Sequence, residues 1–599
     1  MICTLQTVPS LKVALPGGII VCQSCGCSAG GPAGRGEGQW ALGHREPLNA
    51  AEVAKREDDG LNVRNRIETI YAKKGFASIW PSDLRNRFRW HGLYTQRPES
   101  DGYFMLRIRI PGGVLTSSQT DVIGTISQRF GRDVADVTDR QNIQLHWIRI
   151  EDMPEIWNEL EAVGLSTTEA CGDTPRNILG CPLAGVDASE VVDASAALRA
   201  ANDKLEGNLE FSNLPRKFKI SISGCAHQCA QHEINDIGLV GAVGPNGERG
   251  FDLWVGGGLS TNPMFGSRLR AFVTVDQVVP VVLGITAVFR DWGYRRSRNR
   301  ARLKFLVRDW GAEKFRAVLE EELGFELADL SDQQESPVSH REHLGVWPQK
   351  DGLNYVGLAP NAGRISGHQL RAVARLADRY GRGRVRTTTQ QKMVILDVAG
   401  DQVDALIEEL EVIDLPVLPS PWRRGVMACT GIEFCKLAIV ETKGRAAELY
   451  RFLEQRLPGF EEDVRINVNG CPNSCARYQT ADIGLMGCLL SSTVHTTDAR
   501  GRQIPERRKV EGFLVHLGGH LGGERTFGRK VRGVKVPASE VGPYVESLIR
   551  RYRSLRKPGE TFAAFVNRLE AKELAAFAAK PDFPGAPPAP ASVAEPRAS

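Results

Sequence analysis

Long apolar runs are missing from this sequence. No stretch approaches the roughly 18 unbroken apolar residues of a membrane-spanning helix, which argues against a membrane protein. An excess of one charge is missing too: 76 Lys and Arg face 71 Asp and Glu, leaving +5. Nucleic acid is therefore not implied, although a local basic patch could still meet an acidic protein. No strand–GxGxxG–helix unit with a downstream acid is found, so no flavin or nicotinamide module is expected, and WVGGGL at 254–259 reads as a turn. A secretory signal fits poorly. Pro16, Gly17 and Gly18 interrupt the early apolar run and no clean cleavage site follows, so a cytoplasmic location is expected.

What remains is ordinary globular composition, 42% hydrophobic and 25% charged, over 599 residues. That length exceeds one core and suggests about three to five domains. The 13 cysteines fall in tight groups, which in a chain without a secretory signal read first as metal or redox ligands. Cys22, Cys25 and Cys27 sit in a Gly-rich, weakly patterned opening, read as a disordered extension over 1–45 or a start placed too early. The Pro-, Ala- and Ser-rich end, PDFPGAPPAPASVAEPRAS, reads as a disordered tail.

The chain repeats itself. GCAHQCAQHEINDIGLVG from Gly224 returns as GCPNSCARYQTADIGLMG from Gly470, an offset of 246. DGYFMLRIRIPGG at Asp101 returns at Asp351, an offset of 250, and DRQNIQLHW around Gln144 is matched to RTTTQQKMV around Gln391, an offset of 247. Landmarks in one order with drifting offsets indicate duplication, and a pseudo-twofold molecule with a site between its halves. Each half opens with a strand–helix–strand–helix run, YFMLRIRI, TDVIGTISQRFG, NIQLHWIRI and MPEIWNELEAVG in the first. That pattern is a small α+β sandwich, followed by a second part that carries the cysteines.

Cys429 and Cys435 are spaced C-x5-C, and Cys471 and Cys475 C-x3-C. Two local pairs from distant segments can deliver four thiolates to an iron–sulfur cubane, with Gly431, Gly470 and Pro472 turning the backbone. Zinc also accepts four thiolates, so a cluster, zinc and plain buried cysteines all stay open from spacing. The first half offers four as well, Cys171, Cys181, Cys225 and Cys229.

ACTGIEFC, NGCPNSC and ADIGLMG together resemble the siroheme-dependent nitrite and sulfite reductases, over about Trp90 to Leu555. The likeness is greatest to ferredoxin-dependent assimilatory sulfite reductase. The resemblance implies an α+β, internally duplicated pseudo-twofold chain, with two ferredoxin-like α/β sandwich domains and two larger α+β haem- and cluster-binding domains. It places an N-terminal arm at 46–90, the first ferredoxin-like half at 91–165 and the first siroheme-binding domain at 166–330. A linker at 331–350, the second ferredoxin-like half at 351–415, the siroheme and cluster domain at 416–556 and a closing segment at 557–599 follow. It gives a [4Fe–4S] cluster to Cys429, Cys435, Cys471 and Cys475, and makes Cys475 the bridge to the siroheme iron. Cys225 and Cys229 become a relic without a cluster.

Reducing a small oxyanion needs converging cations that bind it, offset charge and relay protons. A lone Arg or Lys is by default a solvated surface charge. By resemblance Arg107, Arg176, Lys217 and Lys219 ring the open face of the siroheme, while Arg109 stays structural. Lys219 favours sulfite, since the nitrite reductases tend to carry Asn there. Arg140, Asn142, Gln144, Arg386 and Gln391 fit the siroheme carboxylates. His146 also lies in DRQNIQLHW and is not expected to bind iron. Tyr94 and Cys171 occupy the motifs that some members join covalently. The implied reaction is six-electron reduction of sulfite to sulfide. Ferredoxin-dependent nitrite reduction to ammonia is the alternative, and a non-enzymatic zinc-cysteine scaffold a further one. With no flavin module, electrons come from a separate protein, an acidic ferredoxin docking on 294–304 or 525–535. Duplication removes one reason to dimerise, so a monomer is expected.

Overall fold

The structure, a computed structural model, describes residues 49–225, 227, 229–330, 342–497, 501 and 503–580, with two short strands at 20–21 and 28–29. Cys22, Cys25, Cys27, most of the opening and closing tails and much of the expected linker lie outside the described residues.

The first half opens with strands β1 (Leu93–Thr95), β2 (Tyr103–Ile108) and β3 (Val114–Thr116), helix α1 (Ser117–Phe130), β4 (Ala135–Val137), β5 (Ile143–Arg149) and α2 (Met153–Ala162). Its larger part runs β6 (Leu179–Gly180), β7 (Ile220–Ser223), β8 (Ile237–Val243), β9 (Arg249–Val255), β10 (Ser267–Thr274), then helices α3 (Val278–Trp292) and α4 (Leu303–Leu323). The second half repeats this as β11 (Gly345–Pro348), β12 (Asn354–Leu358), β13 (Arg364–Ile365), α5 (Gly367–Tyr380), β14 (Arg384–Thr387), β15 (Met393–Val398) and α6 (Val403–Val412). Then come β16 (Val426–Ala428), α7 (Lys443–Arg456), β17 (Ile466–Asn469), β18 (Ile483–Thr497), β19 (Gln503–Leu517), β20 (Arg529–Pro537) and α8 (Val541–Leu555). Residues 345–348, placed in the linker on composition, are an edge strand paired to β12.

The two small sheets interlock. Their orders are β13-β4-β5-β2-β1 and β11-β12-β15-β14-β3, so each half lends its third strand to the other's sheet. Sequence explains the symmetry locally. Thr116 with Gln119 and Ser366 with Gln369 form capping boxes 250 residues apart, starting α1 and α5 identically. A single core holds Ile123, Ile126, Val373 and Leu376 from these helices against strand residues such as Leu106, Ile143, Val356 and Ile395.

The larger sheets are β10-β9-β8-β7-β6, extended by Ala328–Asp329, and β16-β17-β18-β19-β20. Each begins with three parallel strands, Ile220 opposite Ile237 in one and Ile466 opposite Ile483 in the other. Period-2 alternation sends Ile220 and Ile222, or Ile466 and Val468, into separate cores. It leaves Ser221 and Ser223, or Asn467 and Asn469, on the face toward the cysteine loops. Burying each aliphatic side chain contributes about 1.5–3 kcal/mol.

Strand registry corrects one repeat assignment. Ile143 and Met393 open β5 and β15, so the offset there is 250 and Gln391 corresponds to Gln141, not Gln144. Both glutamines have positive φ, and both side chains bond the backbone leading to a cysteine: Gly180 N donates to Gln141 Oε1 at 2.9 Å, and Ala428 N to Gln391 Oε1 at 3.2 Å.

Candidate functional site

Strand β16 runs directly into Cys429, and β17 into Gly470 and Cys471. Gly470 N donates to Cys429 Sγ at 3.2 Å, and Cys435 N to Gly431 O at 2.9 Å. Gly431 has φ +77°, and a Cβ there would stand 2.5 Å from Thr442 Oγ1, so only glycine fits this turn. Cys475 lies within electrostatic range of Cys429, Cys471 and Cys435. Its thiol is solvent-accessible, yet burial, followed by the Cys429 charge, raises it to about 12. Together these facts put it at the floor of an open recess. Among the described residues no three His, Cys, Asp or Glu side chains converge on one metal ion. Zinc would need sulfurs about 2.3 Å from a common centre. A [4Fe–4S] cluster takes one thiolate per iron, a donor set that Cys429, Cys435, Cys471 and Cys475 supply from two distant segments.

Cations cover the recess. Arg107 on β2 donates from Nε and Nη2 to Gln144 Oε1 at 3.1 and 2.5 Å, and from Nη1 to Ala170 O at 3.4 Å. Arg176 Nη1 reaches the same carbonyl at 3.5 Å, while Nε and Nη2 bond Gly172 O. Lys217 and Lys219 flank them, half-buried, with no ammonium hydrogen bond among the described residues. Burial, then Arg176, lowers Arg107 to about 10. Burial, then Arg302, lowers Lys217 to about 8, and burial with Arg140 and Lys217 lowers Lys219. Arg107, Lys217 and Lys219, each lowered first by burial and then by a neighbouring cation, suit the binding of an anion.

Of the four residues singled out from the sequence, Arg107 and Arg176 share the Ala170 carbonyl, Lys217 is within electrostatic range of Arg176 and Lys219 of Lys217, and the Tyr94 ring centre lies 5.5 Å from Arg107 Cζ. Cys171 is buried beside Ala170. Arg140 is half-buried, donates to Asn235 Oδ1 and Asn177 O, and keeps Nε unpartnered, while desolvation lowers it to about 9. Asn142 Oδ1 accepts from Ile110 N, a structural task. Gln144 is a strut between Arg107 and Thr430 Oγ1, which it reaches at 3.0 Å. Gln391 pins Ala428 with both ends of its amide. Arg386 is not in the ring; its electrostatic neighbours are Arg384, Asp397, Arg199 and Cys181. Arg109 is buried on Asn202 Oδ1 and Pro175 O, as a structural residue. His146 bonds Asp136 at 2.9 Å and stacks on Phe434 at 3.8 Å. Sequence reading missed Asp139, which interacts with Arg107, Arg140, Lys219 and Arg477, and it missed Arg477 itself. The signal for Arg477 was its place two residues after Cys475.

The basic run at 294–304 is mostly occupied internally: Arg295 pairs with Glu52, Arg298 with Asp173, Arg302 with Asp236, and Lys304 bonds carbonyls of Leu259 and Gly258. In 525–535, Arg525 lies over Trp254, but Lys530, Arg532 and Lys535 are exposed.

Residues 171–327 and 421–580 match the family model described as nitrite and sulphite reductase 4Fe-4S domain, and 96–163 and 347–413 match the nitrite/sulfite reductase ferredoxin-like half domain. The chain belongs to the nitrite and sulfite reductase family. "Sulfite reductase [ferredoxin] 1" of Mycolicibacterium paratuberculosis is 50% identical over 90% of this chain and 98% of its own length. The assimilatory ferredoxin-dependent nitrite reductase of Haloferax mediterranei is 38% identical over 85% of this chain and 89% of its own. The solved structure of the Mycobacterium tuberculosis NirA protein superposes with a TM-score of 0.83 at 49% identity, covering 90% of this chain and all of that one. No helix among the described residues is long and apolar enough to cross a membrane.

Proposed function

We propose that this reductase converts sulfite to sulfide at a siroheme coupled to a [4Fe–4S] cluster, taking its electrons from a reduced ferredoxin. The observation that carries this reading is the cationic recess opening on Cys475, one of four thiols that fit a cluster. Cys429, Cys435, Cys471 and Cys475 would hold the cluster, with Cys475 the thiolate shared with the siroheme. The unpartnered Arg140 Nε suits a siroheme carboxylate. When bound, siroheme and cluster supply electrons to the anion's central atom.

The chain's own residues do the rest. Arg107, Arg176, Lys217 and Lys219 grip the oxyanion and offset its charge. Each departing oxygen leaves as water and needs two protons. Lys217, lowered to about 8 by burial, can hold or release one near neutral pH. Gln144 fixes the Arg107 guanidinium and ties it to Thr430, next to Cys429. Asn142 and Gln391 orient backbone in this reading and touch the cofactor only secondarily, and Arg386 lies outside it.

Sulfite is favoured over nitrite by Lys219, a second cation suited to a dianion, and by the names of the more similar relatives. The test is turnover of both anions with reduced ferredoxin, repeated with Lys219→Asn. Sulfite turnover is expected to dominate and to fall selectively in the variant; nitrite preference in the unaltered protein would overturn the assignment. A colourless protein containing zinc without iron would remove the redox reading altogether. Arg107 lies over the Tyr94 ring and bonds the carbonyl of Ala170, the residue before Cys171, which supports a thioether between Tyr94 and Cys171 once a two-electron oxidant such as dioxygen removes the two hydrogens. A joined peptide pair two hydrogens lighter is the expected mass, and separate unmodified peptides would exclude it. The exposed Lys530, Arg532 and Lys535 offer an acidic ferredoxin a docking patch. Interlocked sheets complete the site within one chain, which supports a monomer.

A further inference from the structure

The loop that presents Cys475 carries more unpaired donors than any role above uses. Asn469 Nδ2, Ser474 Oγ, and Arg477 Nε and Nη1 are all buried without a hydrogen-bond partner. They are adjacent: Asn469 Oδ1 accepts from Ala476 N at 2.8 Å, and Arg477 N donates to Ser474 O at 3.2 Å. Arg477 is 4% exposed and has φ +55°, so the turn fixes where its side chain leaves the backbone. Its remaining nitrogen, Nη2, donates to Thr389 O at 2.5 Å. Its nearest carboxylate is Asp139 Oδ2, 3.8 Å from Nε and beyond hydrogen-bond reach. Thr389 and Asp139 belong to the loops before β15 and β5, so this one guanidinium bridges the two ferredoxin-like halves. Arg140, the residue after Asp139, also keeps its Nε unpartnered.

Buried guanidinium N–H groups are retained only where something satisfies them. Among the described residues no carboxylate does so at Arg477. The repeat sharpens this: at the corresponding position the first half has Gln231, also at positive φ, which carries no charge. The cation is thus present on one side of the duplication only, the side that carries Cys475.

We propose that Arg477, supported by Asn469 and Ser474, is a binding subsite for a carboxylate, and that its occupant is a carboxylate of the tetrapyrrole. The assignment rests on the siroheme reading above. A planar guanidinium with two free N–H groups matches a carboxylate's two oxygens. The substrate oxyanion shares that chemistry and is the competing source. The bridge gives the subsite a second consequence: the carboxylate would close a link between the two halves, so cofactor binding stiffens the junction.

The experiment uses the full-length protein isolated with its cofactors, as Arg477→Gln and Arg477→Lys beside the unaltered chain. Read out are siroheme content by visible absorption, iron and sulfide content, loss of siroheme on dilution, and KM for sulfite. Arg477→Gln is expected to lose siroheme at least 10-fold faster on dilution while keeping cluster iron and sulfide, with Arg477→Lys between the two. Unchanged siroheme retention in Arg477→Gln overturns the subsite. Full siroheme with a raised sulfite KM reassigns Arg477 to the substrate and overturns the carboxylate as occupant. Loss of cluster and siroheme together in both variants makes Arg477 a structural residue and also overturns it. An unaltered protein without siroheme would instead refute the functional reading on which the subsite rests.

Discussion

The two cysteine loops share a backbone and differ in what surrounds them. Gly180 stands opposite Ile222 as Ala428 stands opposite Val468, so Cys181 occupies the place of Cys429, and Cys225 and Cys229 those of Cys471 and Cys475. Six residues after Cys429 comes Cys435; six after Cys181 comes Asp187. In the first half Cys225 interacts at close range with both Cys181 and Cys229, and its sulfur lies 3.3 Å from Ser223 Oγ. In the second half the four sulfurs interact only at a distance. The covers differ as well. Tyr355, Val394 and Leu396 pack on the first-half thiols. At the matching places, 250 residues earlier, the active side has Met105, Gln144 and His146. Arg107 corresponds to Gly357, where a Cβ would meet His343 O at 1.7 Å, so the backbone at His343 fills the space that Arg107 uses. Duplication conserved a frame, and chemistry followed from the fourth ligand and the facing sheet.

The sharpest way to break this comparison is at the last cysteine. Cys475→Ser is expected to abolish sulfite reduction and to lower iron and sulfide, while Cys229→Ser leaves both near the unaltered level. Equal iron loss in the two would show that the silent copy also holds metal. Next is the facing sheet. Gln144→Val installs the residue of the silent side and frees Arg107 and Thr430. A misplaced cation commonly costs on the order of 10²-fold, so a 10- to 100-fold fall in kcat/KM is expected with siroheme retained. The reverse change, Val394→Gln, buries an amide among Cys181, Leu183 and Leu396 and should cost about 1–3 kcal/mol of stability without touching kcat. If Val394→Gln impaired turnover as much as Gln144→Val, the silent side would not be silent.

The same contrast shows what sequence could reveal. The doubled Gly-Cys phrase and the α+β halves were legible, because duplication, alternation and short motifs are local. Helix α1 and strand β5 were found within a few residues of their ends for the same reason. The swapped third strands were not legible, since no local pattern says which sheet an edge strand joins. Nor were the partners of single polar residues. Asn142 and Gln391 look like cofactor ligands until their amides are found bonded to Ile110 and Ala428. The arginines of 294–304 look like a docking patch until Glu52, Asp173 and Asp236 are seen beneath them. Arg386 has Arg384, Asp397, Arg199 and Cys181 as its electrostatic neighbours and bonds Val385 O, surroundings that its place in the sequence did not reveal.

A smaller effect separates the aspartates of the twin Asp-Ile-Gly-Leu phrases. Asp236 pairs with Arg302 at 2.7 Å and accepts from Lys219 N at 2.8 Å. Asp482 accepts from Arg465 N at 2.9 Å, the matching backbone bond, but has no ion pair of that kind among the described residues. Asp236→Asn strands a buried guanidinium and is expected to cost about 3–5 kcal/mol. Asp482 is the opposite case. Burial raises it from 3.8 to about 6, only partly offset by Arg465. The folded chain thus holds a proton that the unfolded chain has released, so stability from this group is full below about pH 4 and is lost as pH rises through 6. At 1.36 kcal/mol per unit, that is about 1.4 kcal/mol between pH 5 and pH 7. Asp482→Asn has no such proton, so its Tm relative to the unaltered protein should rise across that interval, measured by thermal unfolding at fixed scan rate. A difference in Tm that stays flat from pH 5 to pH 7 would mean that Asp482 is as well neutralised as its twin.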